Sequence, residues 1–220
     1  MLTHAPWTAV RGLQHGFLDR QESGAGSWAA ALGSSLPIVV PRQVHGTRVV
    51  DATAAASPEA DAVASGDAGL LVGVVTADCV PVLLVDRRGR LAAAVHAGWR
   101  GTAAGILEAT VDHLCQRFET DPPALEAAIG PAIGGCCYEI GAEVVEAFRV
   151  RSGRATAEAW SERAGRRYLD LRAAARLLLG AAGVTSVTTL GPCTACGTGY
   201  HSYRRDGART GRQLSFVGWA

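Results

Sequence analysis

Two apolar runs in the first half of the chain are the clearest feature of its hydrophobic pattern. Leu70 to Val75 and Val80 to Val85 are rich in Val and Leu, and the short segment TADC lies between them. Runs of this length and composition predict buried strands. The polar stretch Asp86 to Arg90 predicts a hairpin-like turn, after which Leu91 to His96 resumes as a third strand.

The rest of the chain alternates between helical and extended patterns. Apolar residues at helical spacing predict a helix from about Thr102 to Phe118. Helices are also predicted at Ala142 to Arg149 and Leu171 to Ala182, and strands at Glu126 to Gly130, Val184 to Leu190 and Gln213 to Val217. Because strands and helices are mixed throughout, the predicted fold class is α/β (α+β mixed sheets). We expect one layered domain over residues 1–220, with mixed sheets flanked by helices.

Three other segments have less regular patterns. Pro37 to Val50 alternates apolar runs with prolines and a glycine, which indicates an extended segment. Arg20 to Ser27, with the sequence RQESGAGS, is typical of a mobile loop. The Ala-rich segment Ala52 to Ser65 is compatible with either a loop or a short helix.

Composition excludes several classes of function. The 220 residues are 48% hydrophobic, which is ample for a sizeable core, and the net charge is +1. A chain with this charge has no electrostatic footprint for nucleic acid or an anionic membrane, so neither partner is expected. All 21 basic residues are Arg, since the sequence contains no Lys. A Schiff-base lysine and a P-loop lysine are therefore both excluded.

No targeting or membrane-spanning segment is expected. The first residues lack a basic region followed by an apolar one, and the apolar runs are too short to span a bilayer. A cytoplasmic location is the resulting expectation. The six cysteines are then expected to be thiols or ligands rather than disulfides. The oligomeric state is not indicated by the sequence.

Three segments place a metal-competent side chain beside a glycine or at a strand end. They are RQVHG with His45, TADC with Cys79, and VHAGWRG with His96. Zinc prefers His and Cys ligands, and three protein ligands leave a fourth position open for water or substrate. The ligands are 34 and 17 residues apart, unlike the close pairs of a zinc finger. Spacing alone leaves open the alternative that each is a core or structural residue.

Five motifs in a fixed order give this chain a family resemblance. RQVHG, TADC followed by Pro, HAGWRG, GPAIGGCCYE and SYRRDG with TGRQ resemble the laccase-domain family, from about His15 to the C-terminus. Members of that family are variously named polyphenol oxidases, purine nucleoside phosphorylases or peptidoglycan editing factors. The resemblance implies that His45, Cys79 and His96 bind the metal, which is expected to be zinc, with copper as a possible occupant in vitro.

The resemblance also points to residues around the metal. Arg42, Arg100 and Arg204 lie inside the matching motifs and are expected to bind an anionic part of the substrate, with Arg205 as an equal alternative to Arg204. Asp78 is the candidate general acid or base, provided that TADC lies at a strand end or bulge, because neighbouring strand residues face opposite sides. Cys137 is expected near the substrate, and a buried structural thiol is an equal alternative.

Further residues carry weaker expectations. The segment HGF, with Phe17, could form an aromatic floor to the pocket, although Phe17 also suits the core. His201 stands where the family more often has an aromatic residue. Cys193 and Cys196, in CTAC, resemble half a zinc ribbon, but no second Cys pair has ribbon spacing.

The leading functional hypothesis is a zinc-dependent purine nucleoside phosphorylase, with nucleoside and phosphate as substrates and possible adenosine deaminase activity. A copper-dependent polyphenol oxidase is an alternative, but multicopper oxidation needs more histidines than the six present. A third alternative is a hydrolase that edits peptidoglycan precursors, in which Cys79 acts as a nucleophile or as a zinc ligand. A metal-binding interaction module is the non-enzymatic alternative.

Overall fold

The computed structural model describes residues 1–24, 31–32, 34–52, 58–152 and 156–220. Its strands are β1 (Leu13–Phe17), β2 (Ile38–Val39), β3 (Val49–Asp51), β4 (Ala62–Ser65), β5 (Leu70–Thr76), β6 (Val80–Asp86), β7 (Leu91–Ala97), β8 (Glu126–Ile129), β9 (Glu139–Ile140), β10 (Trp160–Arg163), β11 (Arg166–Leu169), β12 (Ser186–Thr189) and β13 (Gln213–Trp219). Its helices are α1 (Ala5–Thr8), α2 (Arg20–Ser23), α3 (Trp99–Ala104), α4 (Ile106–Phe118), α5 (Ala142–Ser152), α6 (Leu171–Ala181) and α7 (Tyr203–Asp206). Short 3₁₀ turns lie at Pro122–Ala124, Ala157–Ala159 and Gly207–Arg209.

The strands form two mixed sheets and one small antiparallel sheet. The six-stranded sheet has the order β12-β8-β6-β7-β4-β3, antiparallel in its centre and parallel at its two outer pairs. The four-stranded sheet has the order β1-β13-β5-β2, in which β2 and β5 are parallel. The third sheet has the order β10-β11-β9. The predicted α/β class, with mixed sheets flanked by helices, is confirmed.

The core consists of layers on the two faces of the six-stranded sheet. One face packs against the four-stranded sheet, and Val72 and Val74 of β5 belong to the same buried cluster as Leu83 and Val85 of β6. The other face is covered by α4 and α6. All seven residues of β6 and of β7 are buried, which explains why these strands are continuous apolar runs rather than alternating patterns. No helix in the described part of the chain is long and apolar enough to cross a membrane.

The strands predicted from the two apolar runs are confirmed, as is the hairpin that follows them. β5, β6 and β7 have nearly the predicted bounds, and β6 pairs with β7 from Val80 opposite Ala97 to Asp86 opposite Leu91. The predicted helix over Thr102 to Phe118 is wrong as a single element. The structure has α3 and α4 instead, separated by Gly105 in a left-handed conformation at φ 99°.

Two of the segments with less regular patterns contain a helix or a strand that was not predicted. The segment Arg20 to Ser27 begins with α2, because the Asp19 carboxylate accepts the Glu22 N–H while the Glu22 side chain accepts the Asp19 N–H. Residues 25–27 lie outside the described residues. Ala52 to Ser65 ends in β4 rather than in a helix, and residues 53–57 lie outside the described residues.

Candidate metal centre and its cavity

The candidate site lies where the chain passes between the two larger sheets. β5 of the four-stranded sheet ends at Thr76, and β6 of the six-stranded sheet begins at Val80. The TADC segment is therefore the connection between these sheets, and β7 ends beside it at Ala97. Its position at strand ends meets the geometric condition that allows Asp78 and Cys79 to serve one site.

His45, Cys79 and His96 converge at this place. Their ligand atoms all lie within 4.8 Å of one another, and Cys79 Sγ is 4.0 Å from His45 Nε2. The two imidazole rings are 4.8 Å apart between centroids and nearly perpendicular. Two nitrogens and a thiol at this separation form a donor set suited to zinc, with room for a non-protein ligand. The residues therefore fit the expected metal.

Asp61 holds two of these three residues in place. Its buried carboxylate accepts the His96 Nδ1–H at 2.8 Å, which directs His96 Nε2 toward the centre. The same carboxylate accepts the backbone N–H groups of His45 at 2.9 Å and Gly46 at 2.7 Å. A carboxylate that orients a ligating imidazole is the usual second layer of a metal site.

The protonation of the centre favours metal binding at Cys79, whereas His96 has to release a proton before its Nε2 can bind a metal. Burial raises the pKa of the Cys79 thiol, but hydrogen bonds and charge from His45 and His96 outweigh burial and lower it to about 6. Burial lowers the pKa of His96, whereas Asp61 and the Cys79 thiolate raise it to about 9. Cys79 is thus a thiolate at neutral pH, which is the form that binds metal.

Glycines make room for the centre. A Cβ on Gly98 would lie 2.9 Å from His45 Cδ2 and 3.2 Å from Cys79 Sγ. A Cβ on Gly101 would lie 2.8 Å from the Gly46 carbonyl oxygen. The glycines of HAGWRG therefore allow the loop that carries His45 to pack directly against the start of α3.

The two loops that carry His45 and Cys79 have unusual backbone conformations. His45 has φ 62° and Asp78 has φ 84°, in the left-handed region that L-residues rarely adopt. Gln43 fixes the first loop, because its side-chain amide donates to the Val75 carbonyl and accepts from the Val75 N–H, both at 2.8 Å. Local strain at positions fixed by surrounding contacts is typical of functional sites.

Asp78 accepts hydrogen bonds from the loops that form the wall of the site. Its carboxylate accepts hydrogen bonds from Thr194 Oγ1 at 2.6 Å, from Ser202 Oγ at 3.1 Å and from the Arg204 N–H at 2.6 Å. Both carboxylate oxygens therefore have donors from the protein. These contacts favour a positioning role, and the acid–base role stays a prediction.

The centre opens into a cavity of about 640 Å³. Asp78 supplies the one carboxylate among its described lining residues. Four arginines line it as well: Arg42, Arg100, Arg204 and Arg212. The aromatic side chains of Trp99, Tyr138 and Tyr203 line it as well. The volume suits a ligand of nucleoside size, and the charge suits an anion.

The arginines differ in how they are held. The Arg100 guanidinium lies 4.4 Å from the Trp99 ring centroid and has no carboxylate partner among the described residues. Arg42 forms an ion pair with Glu59. Arg204 donates to the carbonyl oxygens of Cys137 and Glu139, at 3.3 and 3.0 Å. Arg212 also lacks a carboxylate partner among the described residues, but it donates to the Thr210 and Gly211 carbonyl oxygens, at 3.4 and 3.0 Å. Arg100, which is held only by its contact with the Trp99 ring, is thus the arginine best placed to take an external anion.

Some residues considered in the sequence lie away from the cavity. Cys137 is not among the lining residues, and its Sγ is 3.5 Å from Cys196 Sγ. Phe17 is buried in the core against Gly130 and does not line the cavity, so the core alternative is confirmed and the aromatic floor is not. His201 packs against Gly211 instead of facing the cavity. Arg205 donates to the Tyr200 and Thr194 carbonyl oxygens and binds Asp206.

Sequence reasoning missed Asp61, Gln43 and Arg212. Asp61 lies in a small-residue segment with no recognisable motif, and only its contacts reveal its role. Gln43 and Arg212 do have a signal, because they belong to RQVHG and TGRQ, two of the motifs already identified.

Comparisons with known proteins show the family and the fold of this chain. The family model described as multi-copper polyphenol oxidoreductase laccase matches residues 22–220. A purine nucleoside phosphorylase from Pseudomonas aeruginosa is 45% identical over 177 residues, covering 80% of this chain and 71% of that protein. An adenosine deaminase from an unknown prokaryotic organism is 38% identical over 205 residues, covering 86% and 78%. The crystal structure of YlmD from Geobacillus stearothermophilus has a TM-score of 0.86 at 30% identity, covering 96% of this chain and 93% of that one.

Proposed function

The chain belongs to the multi-copper polyphenol oxidoreductase laccase family, and from this premise we propose that it is a metal-dependent purine nucleoside phosphorylase. Its substrates are a purine nucleoside and inorganic phosphate. The observation that carries the proposal is one cavity that combines the His45, Cys79 and His96 donor set with four arginines. Relatives at 39 to 45% identity are named purine nucleoside phosphorylases, which supports the same class of reaction.

The arginines suit the phosphate substrate. In phosphorolysis a phosphate oxygen bonds to the anomeric carbon, the glycosidic C–N bond breaks, and the base takes its electron pair and then a proton. We assign phosphate binding to Arg100 with help from Arg42 and Arg204, because a guanidinium can bind phosphate through two parallel hydrogen bonds. Arg100 needs to break no ion pair with a described residue to do so.

His45, Cys79 and His96 would hold the metal, and zinc is the proposed ion. Bound there, zinc would supply Lewis-acid chemistry and would activate water for attack on a purine ring, which is the reaction of a deaminase. Asp61 keeps the His96 imidazole oriented, and Gln43 keeps the His45 loop against β5. Adenosine deamination is therefore the second proposed activity, and the name of the 38% identical relative favours it.

Tyr138 is a candidate to contact the base. It lines the cavity, and burial, together with the negative charge of Cys79, raises the pKa of its hydroxyl. The hydroxyl therefore keeps its proton at neutral pH and can donate a hydrogen bond.

Asp78 remains a proposed acid–base residue. If Asp78→Asn kept its activity but lost thermal stability, the result would favour a role for Asp78 in positioning the surrounding loops instead.

Copper-dependent phenol oxidation is the less supported alternative. Among the described residues, the groups able to hold a metal are the His45, Cys79 and His96 set and a four-cysteine set, and only two histidines take part. Multicopper oxidation needs a blue-copper centre and further copper sites, which depend on many more imidazoles.

A cytoplasmic location is also part of the proposal, because free thiols at all six cysteines are typical of a reducing compartment.

Product analysis tests the function. Purified zinc-loaded protein is incubated with adenosine, with and without phosphate, and adenine and inosine are separated by chromatography. We expect adenine only when phosphate is present, together with ribose 1-phosphate, and inosine in either condition. Adenine released equally without phosphate would indicate a hydrolase and would contradict the proposal.

The phosphate role of Arg100 has its own prediction. Arg100→Gln should raise the half-saturating phosphate concentration about tenfold to hundredfold, because a hydrogen bond to a charged group contributes about 1.5–3 kcal/mol. Metal content should not change. Arg176→Gln, at an exposed position of α6, is the matched control. An unchanged phosphate dependence in Arg100→Gln would refute the assignment.

A further inference from the structure

Four cysteines outside the cavity meet at one edge of the six-stranded sheet. Cys136 and Cys137 lie in the loop that follows β8, and Cys193 and Cys196 lie in the loop that follows β12. β8 and β12 are parallel neighbours, so both loops leave the sheet at the same edge. A bridge between Ala132 and Cys193 continues their pairing beyond the strands. The half zinc ribbon seen in CTAC thus faces a second cysteine pair that is distant in sequence.

The spacing of the four sulphurs is that of ligands around one ion. Cys196 Sγ is 3.4 Å from Cys136 Sγ and 3.5 Å from Cys137 Sγ, and all four sulphurs lie within 4.8 Å of one another. A zinc–sulphur bond of about 2.3 Å with tetrahedral angles places neighbouring sulphurs about 3.8 Å apart. We propose that Cys136, Cys137, Cys193 and Cys196 form a second metal site, a structural tetrathiolate site for a single zinc ion.

The protein holds these cysteines from outside the cluster. Cys193 Sγ accepts the Gly134 N–H at 3.2 Å, the kind of second-layer hydrogen bond that steadies a ligating thiolate. Arg163 donates to the Gly135 carbonyl at 2.6 Å and to the Cys136 carbonyl at 3.3 Å. Its guanidinium therefore lies beside the loop that carries two of the thiols. A nearby cation offsets part of the net negative charge of four thiolates on a divalent ion.

Two other uses of four thiols fit the geometry less well. A disulfide would join two sulphurs and leave the others without a reason to converge, whereas Cys196 is almost equally close to two of its neighbours. An iron–sulphur cluster attaches its cysteines to different iron atoms, which requires a wider spacing than one shared ion does. Four mutually close thiols match the closed coordination of a structural zinc site.

The proposed second site adjoins the wall of the cavity. Tyr138, which lines the cavity, directly follows Cys137, and Thr194, which donates to Asp78, directly follows Cys193. Arg204 donates to the Cys137 carbonyl from the other side. An ion bound by the four cysteines would therefore fasten together the two loops that hold Asp78 and Tyr138. Its role is structural, and it touches no substrate.

Metal counting with paired variants tests the site. Protein produced with added zinc and kept reduced should contain two zinc ions per chain. Cys193→Ser/Cys196→Ser should lose one zinc, and His45→Ala/Cys79→Ala should lose the other. Cys115→Ala is the matched control, because Cys115 belongs to neither group, and it should keep both.

X-ray absorption at the zinc edge identifies the ligands. In His45→Ala/Cys79→Ala the remaining zinc should show four sulphur neighbours at about 2.3 Å and no nitrogen. This variant keeps all four cysteines, so the test does not depend on whether Cys193→Ser/Cys196→Ser folds. It is also separate from the proposed function, since it measures no activity.

Three results would overturn the proposal. The first is the absence of bound zinc in His45→Ala/Cys79→Ala. The second is a disulfide among these four cysteines in protein purified under reducing conditions, detected by mass spectrometry of unreduced peptides. The third is an iron chromophore in purified His45→Ala/Cys79→Ala.

Discussion

At the scale of single residues, the centre depends on side chains that bind no metal themselves. Asp61 combines one side-chain bond to His96 with backbone bonds to His45 and Gly46. One carboxylate thus sets the orientation of one ligand and the backbone of another. Burial raises the pKa of Asp61, but the hydrogen bonds from His96, Gly46 and His45 outweigh burial and lower it. The carboxylate therefore stays ionised and acts as an acceptor.

Asp61→Asn should weaken metal binding about tenfold to hundredfold, the usual cost of losing a second-layer partner. The NH₂ group of asparagine is a hydrogen-bond donor and takes the place of one accepting carboxylate oxygen. The His96 Nδ1–H or one of the loop N–H groups therefore loses its acceptor. Competition with a chelator measures the affinity, in a Cys193→Ser/Cys196→Ser background that isolates this site. Asp67→Asn, at an exposed position, is the control. Equal affinities for the two variants would contradict the role of Asp61.

Gly98→Ala should displace the His45 ring or Cys79 and reduce metal retention at this centre. Its backbone has φ −72°, which alanine adopts freely, so the effect comes from the 2.9 Å approach of the added Cβ to His45 Cδ2. Metal content after dialysis measures it. Gly180→Ala is the control, because its Cβ would meet nothing within 4 Å. Full metal retention in Gly98→Ala would contradict this prediction, because it would show that the His45 loop can move to accommodate the added Cβ.

The ligand trio could be proposed from sequence only through resemblance. His45, Cys79 and His96 are 34 and 17 residues apart, and no rule of local spacing joins them. They meet because a sheet-to-sheet connection places Cys79 beside the end of β7, while an irregular loop brings His45 over it. Asp61 could not be predicted, because its role depends on contacts from three separate segments.

At the scale of elements, the helix after HAGWRG shows where periodicity misleads. Apolar spacing predicted one helix, but the chain turns at Gly105, whose φ of 99° ends α3 before α4 begins. A glycine is tolerated within a helix, so the sequence does not distinguish a weak helical position from a break. The same limit applies to β9, β10 and β11, whose residues apart from Leu169 are exposed or half-buried and give no core-facing alternation.

Gly105→Ala should destabilise the protein by about 1–2 kcal/mol, the cost of a left-handed conformation for an L-residue. The added Cβ would also meet the Arg151 guanidinium, whose exposed flexible end can move away. Urea denaturation measures the free energy of unfolding. Gly180→Ala should be neutral or slightly stabilising, since alanine has the higher helix propensity. Unchanged stability in Gly105→Ala would indicate one continuous helix.

At the scale of the whole molecule, the layers place the chemistry at one end of the sheets. β6 and β7 are buried on both faces, so polar groups can accumulate only where these strands begin or end. The continuous apolar runs were enough to predict the central strands and the fold class. The pairing order could not be predicted, because it is decided by long-range contacts between strands such as β5 and β13. The extent of a single domain over residues 1–220 stays a prediction.

The central proposal is that phosphate-dependent cleavage of a purine nucleoside depends on a metal that His45, Cys79 and His96 would hold. The most direct measurement is the rate of adenine release from adenosine against phosphate concentration, in zinc-loaded wild type, Cys79→Ala and the control Cys115→Ala. The account predicts saturable, phosphate-dependent release in wild type and Cys115→Ala, and loss of both this activity and the bound metal in Cys79→Ala. Wild-type turnover in Cys79→Ala, or no turnover of adenosine, inosine or guanosine by the zinc-loaded wild type, would contradict it.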